Sequence, residues 1–294
     1  MTSLPKAYRS PGTLTEYLPD PCEPIDRWFQ ARNASNVRTT ARIVRDLCPA
    51  ADLFVDPLAG GGSSACAARL LGLPFFGIEW DPLLACVCLA KSTAESGHAR
   101  AVPPLVIPDQ PLASCLSVAR RMSASTEHPV SDHEMLADLA ASPCASAKSR
   151  VLWGDATQVE VWDELPEEAR HAVLYTSPPF GLSSPRPQAP SGLRAEAELA
   201  LVAAKAARSG IGPGTFASYD QIASAVVLRA AHRLRRLTVI LEHEPADDGS
   251  DSRLPTIRRL TDALGGRIRD VRILECGAYS PRGLFSLIVC EVVQ

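Results

Sequence analysis

The stretch Asp52-Leu53-Phe54-Val55-Asp56-Pro57-Leu58-Ala59-Gly60-Gly61-Gly62-Ser63 decides the fold. Asp52-Leu53-Phe54-Val55 reads as a short buried strand, and Asp56 to Gly62 as the loop that closes it. Ser63 to Leu71 is rich in alanine and reads as a helix. Phe75-Phe76-Gly77-Ile78 is a second strand, closed by Glu79, and Asp81 to Lys91 a second helix. Strand, loop, helix, strand, helix implies parallel strands with right-handed crossovers. The rhythm resumes at Val151-Leu152-Trp153, followed by Gly154 and Asp155, and again at His171 to Tyr175. Tyr219 to Arg236 reads as a helix, Leu237 to Leu241 as a strand, and Thr256 to Leu264 as a helix. Val271 to Cys276 and Leu284 to Val293 read as an antiparallel hairpin joined by Gly277–Gly283. The expected fold is α/β: a doubly wound, mostly parallel sheet with a late antiparallel strand, in a single domain over residues 1–294.

The remaining segments carry less regular patterns. Residues 1–24 are rich in proline and polar residues and read as an extended arm. From Trp28 to Leu47 the pattern is helical. Residues 92–150 break the alternation with Pro103, Pro104, Pro108, Pro111, Pro129 and Pro143. Helical fragments are expected near 112–122 and 133–141, and the segment reads as an inserted lid or small recognition lobe that adds no strand. Residues 181–215 are loop-like apart from an alanine-rich helix near 194–207.

Composition narrows the class of protein. Apolar residues make up 46% and charged residues 21%, ordinary for a soluble globular enzyme. The formal net charge of −3 argues against a large phosphate-gripping footprint, so any nucleic-acid contact needs a local patch. The nine cysteines include no CxxC pair, so no metal site is expected. Reduced thiols fit a cytoplasmic protein. No apolar run reaches the roughly 18 residues of a membrane span, and no membrane partner is expected.

Two constellations carry chemistry. The glycines after Asp56 let the backbone bend and let a ligand approach closely. The open helix start at Ser63 supplies N–H groups able to hold a carboxylate. Glu79, at the end of the next strand, can accept hydrogen bonds from two ribose hydroxyls, and Asp155 follows a third strand, where it could meet an adenine amino group. The loop lacks the GxGxxG order of dinucleotide folds, although NAD is the rival ligand. The second constellation is Thr176-Ser177-Pro178-Pro179-Phe180. Consecutive prolines remove two donors and stiffen the chain at a strand end. Carbonyl oxygens there, with the Ser177 hydroxyl, can accept both protons of a substrate NH2, and Phe180 offers a face on which a base can stack. A base inside a duplex would first have to be flipped out.

Together these residues resemble the DNA amino-methyltransferases, especially the N4-cytosine type. That family's cofactor loop reads Asp-Pro-Phe-Ala-Gly-Ser-Gly-Thr, against Asp56-Pro57-Leu58-Ala59-Gly60-Gly61-Gly62-Ser63 here. Its next strand ends in Gly-Ile-Glu, as Gly77-Ile78-Glu79 does, and its reacting motif is Ser-Pro-Pro-aromatic, as in Ser177 to Phe180. The segment 28–47 looks like the family motif that closes over the methionine end of the cofactor. Leu58 replaces the usual phenylalanine, and no long basic target-recognition domain is evident. The resemblance implies the class I S-adenosylmethionine-dependent methyltransferase fold. It places Asp56, Pro57, Ala59, Gly60, Gly62, Glu79, Trp80 and Asp155 with the cofactor, and Ser177, Pro178, Pro179 and Phe180 with the acceptor. The implied reaction is methyl transfer to an exocyclic amino group of a nucleobase, foremost cytosine N4 in DNA, as in restriction–modification. The implied partner is nucleic acid, DNA before RNA. The other readings are a same-fold enzyme acting on RNA or on a peptide or small-molecule amine, and a catalytically silent partner subunit.

Three secondary features read as structural. Arg229, His232, Arg233, Arg235 and Arg236 cluster at a helix end, where cations are favoured. His243 lies between Glu242 and Glu244 at a strand end. Cys86 and Cys88 share a helix without a metal-binding partner motif.

Overall fold

The computed structural model describes residues 8–9, 24–29, 36–94, 111–126, 129–166, 168–177, 189–208, 219–243, 253–280 and 283–294. Its strands are β1 (Tyr8–Arg9), β2 (Leu53–Asp56), β3 (Phe75–Glu79), β4 (Arg150–Trp153), β5 (Ala172–Thr176), β6 (Arg236–His243), β7 (Ile268–Ser280) and β8 (Gly283–Val293). They form one eight-stranded sheet in the order β1-β7-β8-β6-β5-β2-β3-β4. All neighbours pair in parallel except β8, which runs antiparallel to both β6 and β7. The chain therefore steps outward from β2 through β3 to β4, then crosses back to lay β5 on the other side of β2.

The helices are α1 (Val37–Leu47), α2 (Ser63–Leu71), α3 (Pro82–Thr93), α4 (Pro111–Ala124), α5 (Asp132–Ala141), α6 (Leu193–Ala203), α7 (Tyr219–Arg233) and α8 (Arg253–Leu264). Side chains of a strand alternate between faces, and here both faces are covered. Leu53 and Val55 enter one core cluster with α7, α8 and the 3-10 turn Glu160–Glu164. Phe54, Phe75 and Tyr175 enter the other, with buried residues of α1 through α6. That double burial explains why the central strands read as continuous apolar runs rather than as alternating ones.

Apart from shifts of a few residues at element ends and the two-residue β1 within the expected arm, the elements differ from the sequence expectation in three places. The helical pattern expected over 28–47 is divided: Asp26–Trp28 is a single 3-10 turn, and α1 begins at Val37, capped by Asn36 Oδ1 accepting from the Thr39 N–H at 3.0 Å. The 3-10 turn is clamped from outside its own sequence, because Arg27 and the Trp28 indole N–H both donate to the Asp138 carboxylate of α5. The late hairpin is longer than expected, with β7 running to Ser280 and β8 starting at Gly283 across register shifts near Cys276 and Ala278.

The third difference concerns 92–150. Its described part up to Ser149 adds two helices and no strand. Cys115, Leu116, Val118, Ala119 and Met122 of α4 are buried in the same cluster as the central strands. These positions recur at helical spacing, and the apolar stripe they make seats α4 on α3 and α6 rather than in a lobe apart. Residues 95–110, where several of the prolines fall, lie outside the described residues.

The glycine loop shows how tightly this face is packed. Gly62 caps α2 with φ +85°, and a Cβ there would lie 2.9 Å from the Cys88 Cα of α3. The close approach of α2 to α3 therefore requires glycine. Gly62→Ala combines a left-handed backbone with a backbone clash, and should destabilise the fold by about 2–4 kcal/mol. Chemical denaturation of the purified variant measures this, and a loss under 1 kcal/mol would contradict the packing argument.

Candidate functional site

In an open α/β sheet the crevice lies at the C-terminal strand ends, where the connection reverses direction. Here the reversal falls between β2 and β5. Asp56 ends β2, Glu79 ends β3, Asp155 follows β4 and Ser177 follows β5. The sheet thus gathers one acid from each of three adjacent strand ends beside Ser177.

Glu79 is buried, and its two oxygens hold two separate turns. Oε2 accepts the Gly60 N–H at 2.8 Å, and Oε1 accepts the Asp81 N–H at 2.8 Å. Burial pushes its pKa up to about 7, with the charges of Asp81 and Asp56 acting in the same sense and the two N–H donors opposing. Each carboxylate oxygen has two acceptor positions, so further donors can bind the same group. Asp56 is buried beside the Ser64 and Thr176 hydroxyls and accepts the Leu58 N–H at 3.1 Å. Burial raises it to about 6.

The other expected cofactor positions divide between space and scaffold. Gly60, at φ +51°, has no atom of the described residues within 4 Å of where a Cβ would stand. Ala59 bonds back to Ile78 through its N–H at 3.0 Å, while its methyl packs toward Gly77. Pro57 is buried. Trp80 is half-buried, and its carbonyl accepts the Trp153 indole N–H at 3.0 Å. Asp155 is turned into its own loop, accepting from the Thr157 N–H and hydroxyl at 2.9 and 2.7 Å. An adenine contact there would have to share that carboxylate.

Ser177 is half-buried at the end of β5. Pro178, Pro179 and Phe180 lie outside the described residues. The register between β5 and β6 pairs Thr176 with Leu241, which brings Glu242 level with Ser177. Glu242 is buried, and the Tyr175 hydroxyl donates to its Oε1. Sequence reading noted Glu242 only as a neighbour of His243. A carboxylate directly after the apolar run Val239-Ile240-Leu241, still within the strand, was the available signal. His243 is itself buried. Two members of the arginine cluster are engaged, Arg229 donating to the Thr157 carbonyl and Arg233 pairing with Asp163, while Arg235 and Arg236 are exposed.

A second buried charge frames the loop. Lys91 is fully buried, and its ammonium donates to Asp26 Oδ1, the Asp26 carbonyl and the Phe29 carbonyl at 2.7–3.0 Å. The Ser63 hydroxyl donates to the same Asp26 oxygen at 2.8 Å. The segment 24–29 is thereby fastened to the first residue of α2, directly after the glycines. Among the described residues no cluster of acidic, histidine or cysteine side chains suits a metal ion, and no helix is long and apolar enough to cross a membrane.

Five parallel strands reverse beside β2, and the final strand inserts antiparallel between β6 and β7. This is the class I methyltransferase fold. No family model and no curated protein matches the chain. Similar solved structures include an rRNA methylase from Streptococcus thermophilus, at 12% identity and TM-score 0.38, covering 90% of this chain and 99% of that one. Magnesium protoporphyrin IX methyltransferase from Synechocystis, solved with its bound cofactor, is 12% identical at TM-score 0.38, covering 92% and 89%. Fibrillarin from Aeropyrum pernix is 14% identical at TM-score 0.40, covering 86% and 74%. The strand order, rather than these similarities, establishes the fold.

The buried acids make a pH signature. Both have folded pKa values above their ordinary ones, so the stability their protonated forms contribute is complete below about pH 4 and is lost as pH rises through 6 to 7. Asp56→Asn keeps an acceptor for Leu58 and removes one of these charges. The free variant should exceed wild type in stability by about 1–3 kcal/mol at pH 8, with the gap closing toward pH 5. Denaturation across that range checks it, and equal stability at pH 8 would show that Asp56 is not destabilised by burial.

Proposed function

We propose that the protein is an S-adenosylmethionine-dependent methyltransferase whose acceptor is an exocyclic amino nitrogen of a nucleobase, foremost cytosine N4 in DNA. The observation that carries this reading is the juxtaposition across the β2–β5 reversal: the acids Asp56 and Glu79 with the Gly60 turn on one side, Ser177 with Glu242 on the other. The residues present suit the cofactor. Glu79 retains acceptor capacity for two ribose hydroxyls, the first turn of α2 has N–H groups without intrahelical partners that suit a carboxylate, and no atom of the described residues lies within 4 Å of a Cβ position at Gly60. When bound, the cofactor supplies a methyl group on a sulfonium.

The chain's own residues then act by positioning and charge. The Ser177 hydroxyl accepts a hydrogen bond from one N–H of the acceptor amine and fixes the nitrogen lone pair in line; the methylated nitrogen then releases a proton to solvent. Glu242, held by Tyr175 and level with Ser177, stabilises the positive charge that the nitrogen acquires. Phe180 supplies the stacking face. Cytosine is favoured by the Ser-Pro-Pro sequence at a position where enzymes acting on purines carry Asp or Asn, and DNA is favoured by the same resemblance.

The test is tritiated methyl transfer into duplex DNA, single-stranded DNA, RNA and peptide pools, followed by mass spectrometry of the labelled product. N4-methylcytosine in DNA is expected. An N-methyl base in RNA would keep the amine chemistry and move the acceptor, and a methylated carboxylate, thiol or ring carbon would defeat it. Ser177→Ala and Glu242→Gln should each lower the transfer rate, on the order of tenfold to a hundredfold, with cofactor affinity nearly unchanged. Phe180→Ala should weaken acceptor binding by about 1–3 kcal/mol, and Phe180→Tyr should not.

A further inference from the structure

The helix that follows the reacting segment reaches across to the cofactor strand. Leu193, Ala197 and Leu201 of α6 are buried in the cluster shared with α3, which fixes α6 against it. On this base Arg194 Nη2 donates to Asp81 Oδ2 at 2.9 Å. Asp81 is almost fully buried, and its other oxygen caps α3 by accepting the Leu83 and Leu84 N–H groups. The Asp81 backbone N–H is the donor to Glu79 Oε1, and Glu79 Oε2 holds Gly60. A continuous chain of polar contacts thus runs from α6 to the glycine loop.

We propose that Arg194 is a positioning residue for the cofactor site, acting on Glu79 through Asp81. This rests on reading Glu79 as the acceptor for the cofactor's ribose hydroxyls. Several groups face Glu79. Asp56 comes from β2 and Asp81 from the head of α3, and both charges oppose its ionised form. Cys88 comes from α3, where burial keeps it a thiol. Lys91 lies further along α3 with its ammonium committed to Asp26 and Phe29. Asp155 follows β4 with its carboxylate engaged by Thr157. Among the described residues Arg194 is the cation bonded to Asp81, so it offsets the Asp81 charge. It also holds the Asp81 turn in register with the Glu79 carboxylate. Because the guanidinium is partly exposed, with a side-chain exposure of 36%, solvent screens part of that effect.

Calorimetric titration of the full chain with S-adenosylmethionine from pH 6 to 9 tests the role. Arg194→Met should bind about threefold to tenfold more weakly at pH 7 and recover wild-type affinity by pH 9, a rise of up to about one unit in the midpoint of the profile. Arg194→Lys should fall between the two. Adding Asp81→Asn to Arg194→Met removes both charges while keeping a good helix cap, and should return the midpoint toward wild type. Unchanged affinity, or a loss equal at every pH, would overturn the proposal, because a merely structural role carries no proton dependence. Should wild type fail to bind the cofactor, the cofactor reading itself falls. The thermal midpoint of the free proteins against pH then still decides: a step displaced upward in Arg194→Met supports the link to Glu79, and superimposable profiles sink it.

Discussion

The site depends on one carboxylate shared between two turns. Glu79 receives the N–H of Gly60 from the loop after β2 and the N–H of Asp81 from the turn before α3. Those segments belong to successive strand–helix units, and both must bend sharply at the same edge of the sheet. A buried carboxylate is unfavourable without partners, and two backbone donors left unpaired would be nearly as costly. Each defect is relieved by the other, so the loop conformation and the position of the acid are set together.

The same edge concentrates groups that a fold selected for stability alone would avoid. Asp56, Glu79, Asp81 and Glu242 are all buried there, on strand ends or the turn beside them. Each has donors: Leu58 for Asp56, Arg194 and the first turn of α3 for Asp81, Tyr175 for Glu242. The compensation is incomplete, since burial still holds Asp56 and Glu79 above the ordinary carboxylate range. Destabilised acids with spare acceptor positions are suited to a ligand that brings hydroxyl and amino donors, and sites of this kind are where proteins exchange stability for function. The Lys91–Asp26–Ser63 contact works beside them, fastening the N-terminal segment to the start of α2 with an ion pair hidden from solvent.

Most of the fold was legible from local pattern. The strands around Phe54, Phe76, Leu152 and Leu174 carry apolar runs buried on both faces, and their turns carry Asp, Gly or Pro where the chain must reverse. The α2 segment Ser63–Leu71 matched its expected bounds because Gly62 and Gly72 stand at its two ends with left-handed backbones. The division of the 28–47 segment was not legible, because a helix-like spacing of apolar residues does not show that Trp28 and Arg27 are claimed by Asp138 of α5. Nor was the place of α4: its prolines suggested an insertion, while the stripe from Cys115 to Met122 was enough to bury it.

By itself the sequence determined the order of elements, the acids at three strand ends and the serine at a fourth, because strand periodicity, turn chemistry and helix caps are local properties. Tertiary structure alone decided which of those residues meet. It separated Gly60, whose Cβ position no described residue approaches within 4 Å, from Gly62, which faces the Cys88 backbone, although the two glycines read alike. It set Glu242 level with Ser177 through a parallel register, and joined Arg194 to Asp81 and Lys91 to Asp26. Such pairings come from crossovers that bring remote segments to one edge, and their strength depends on burial, which a residue's immediate neighbours in sequence do not reveal.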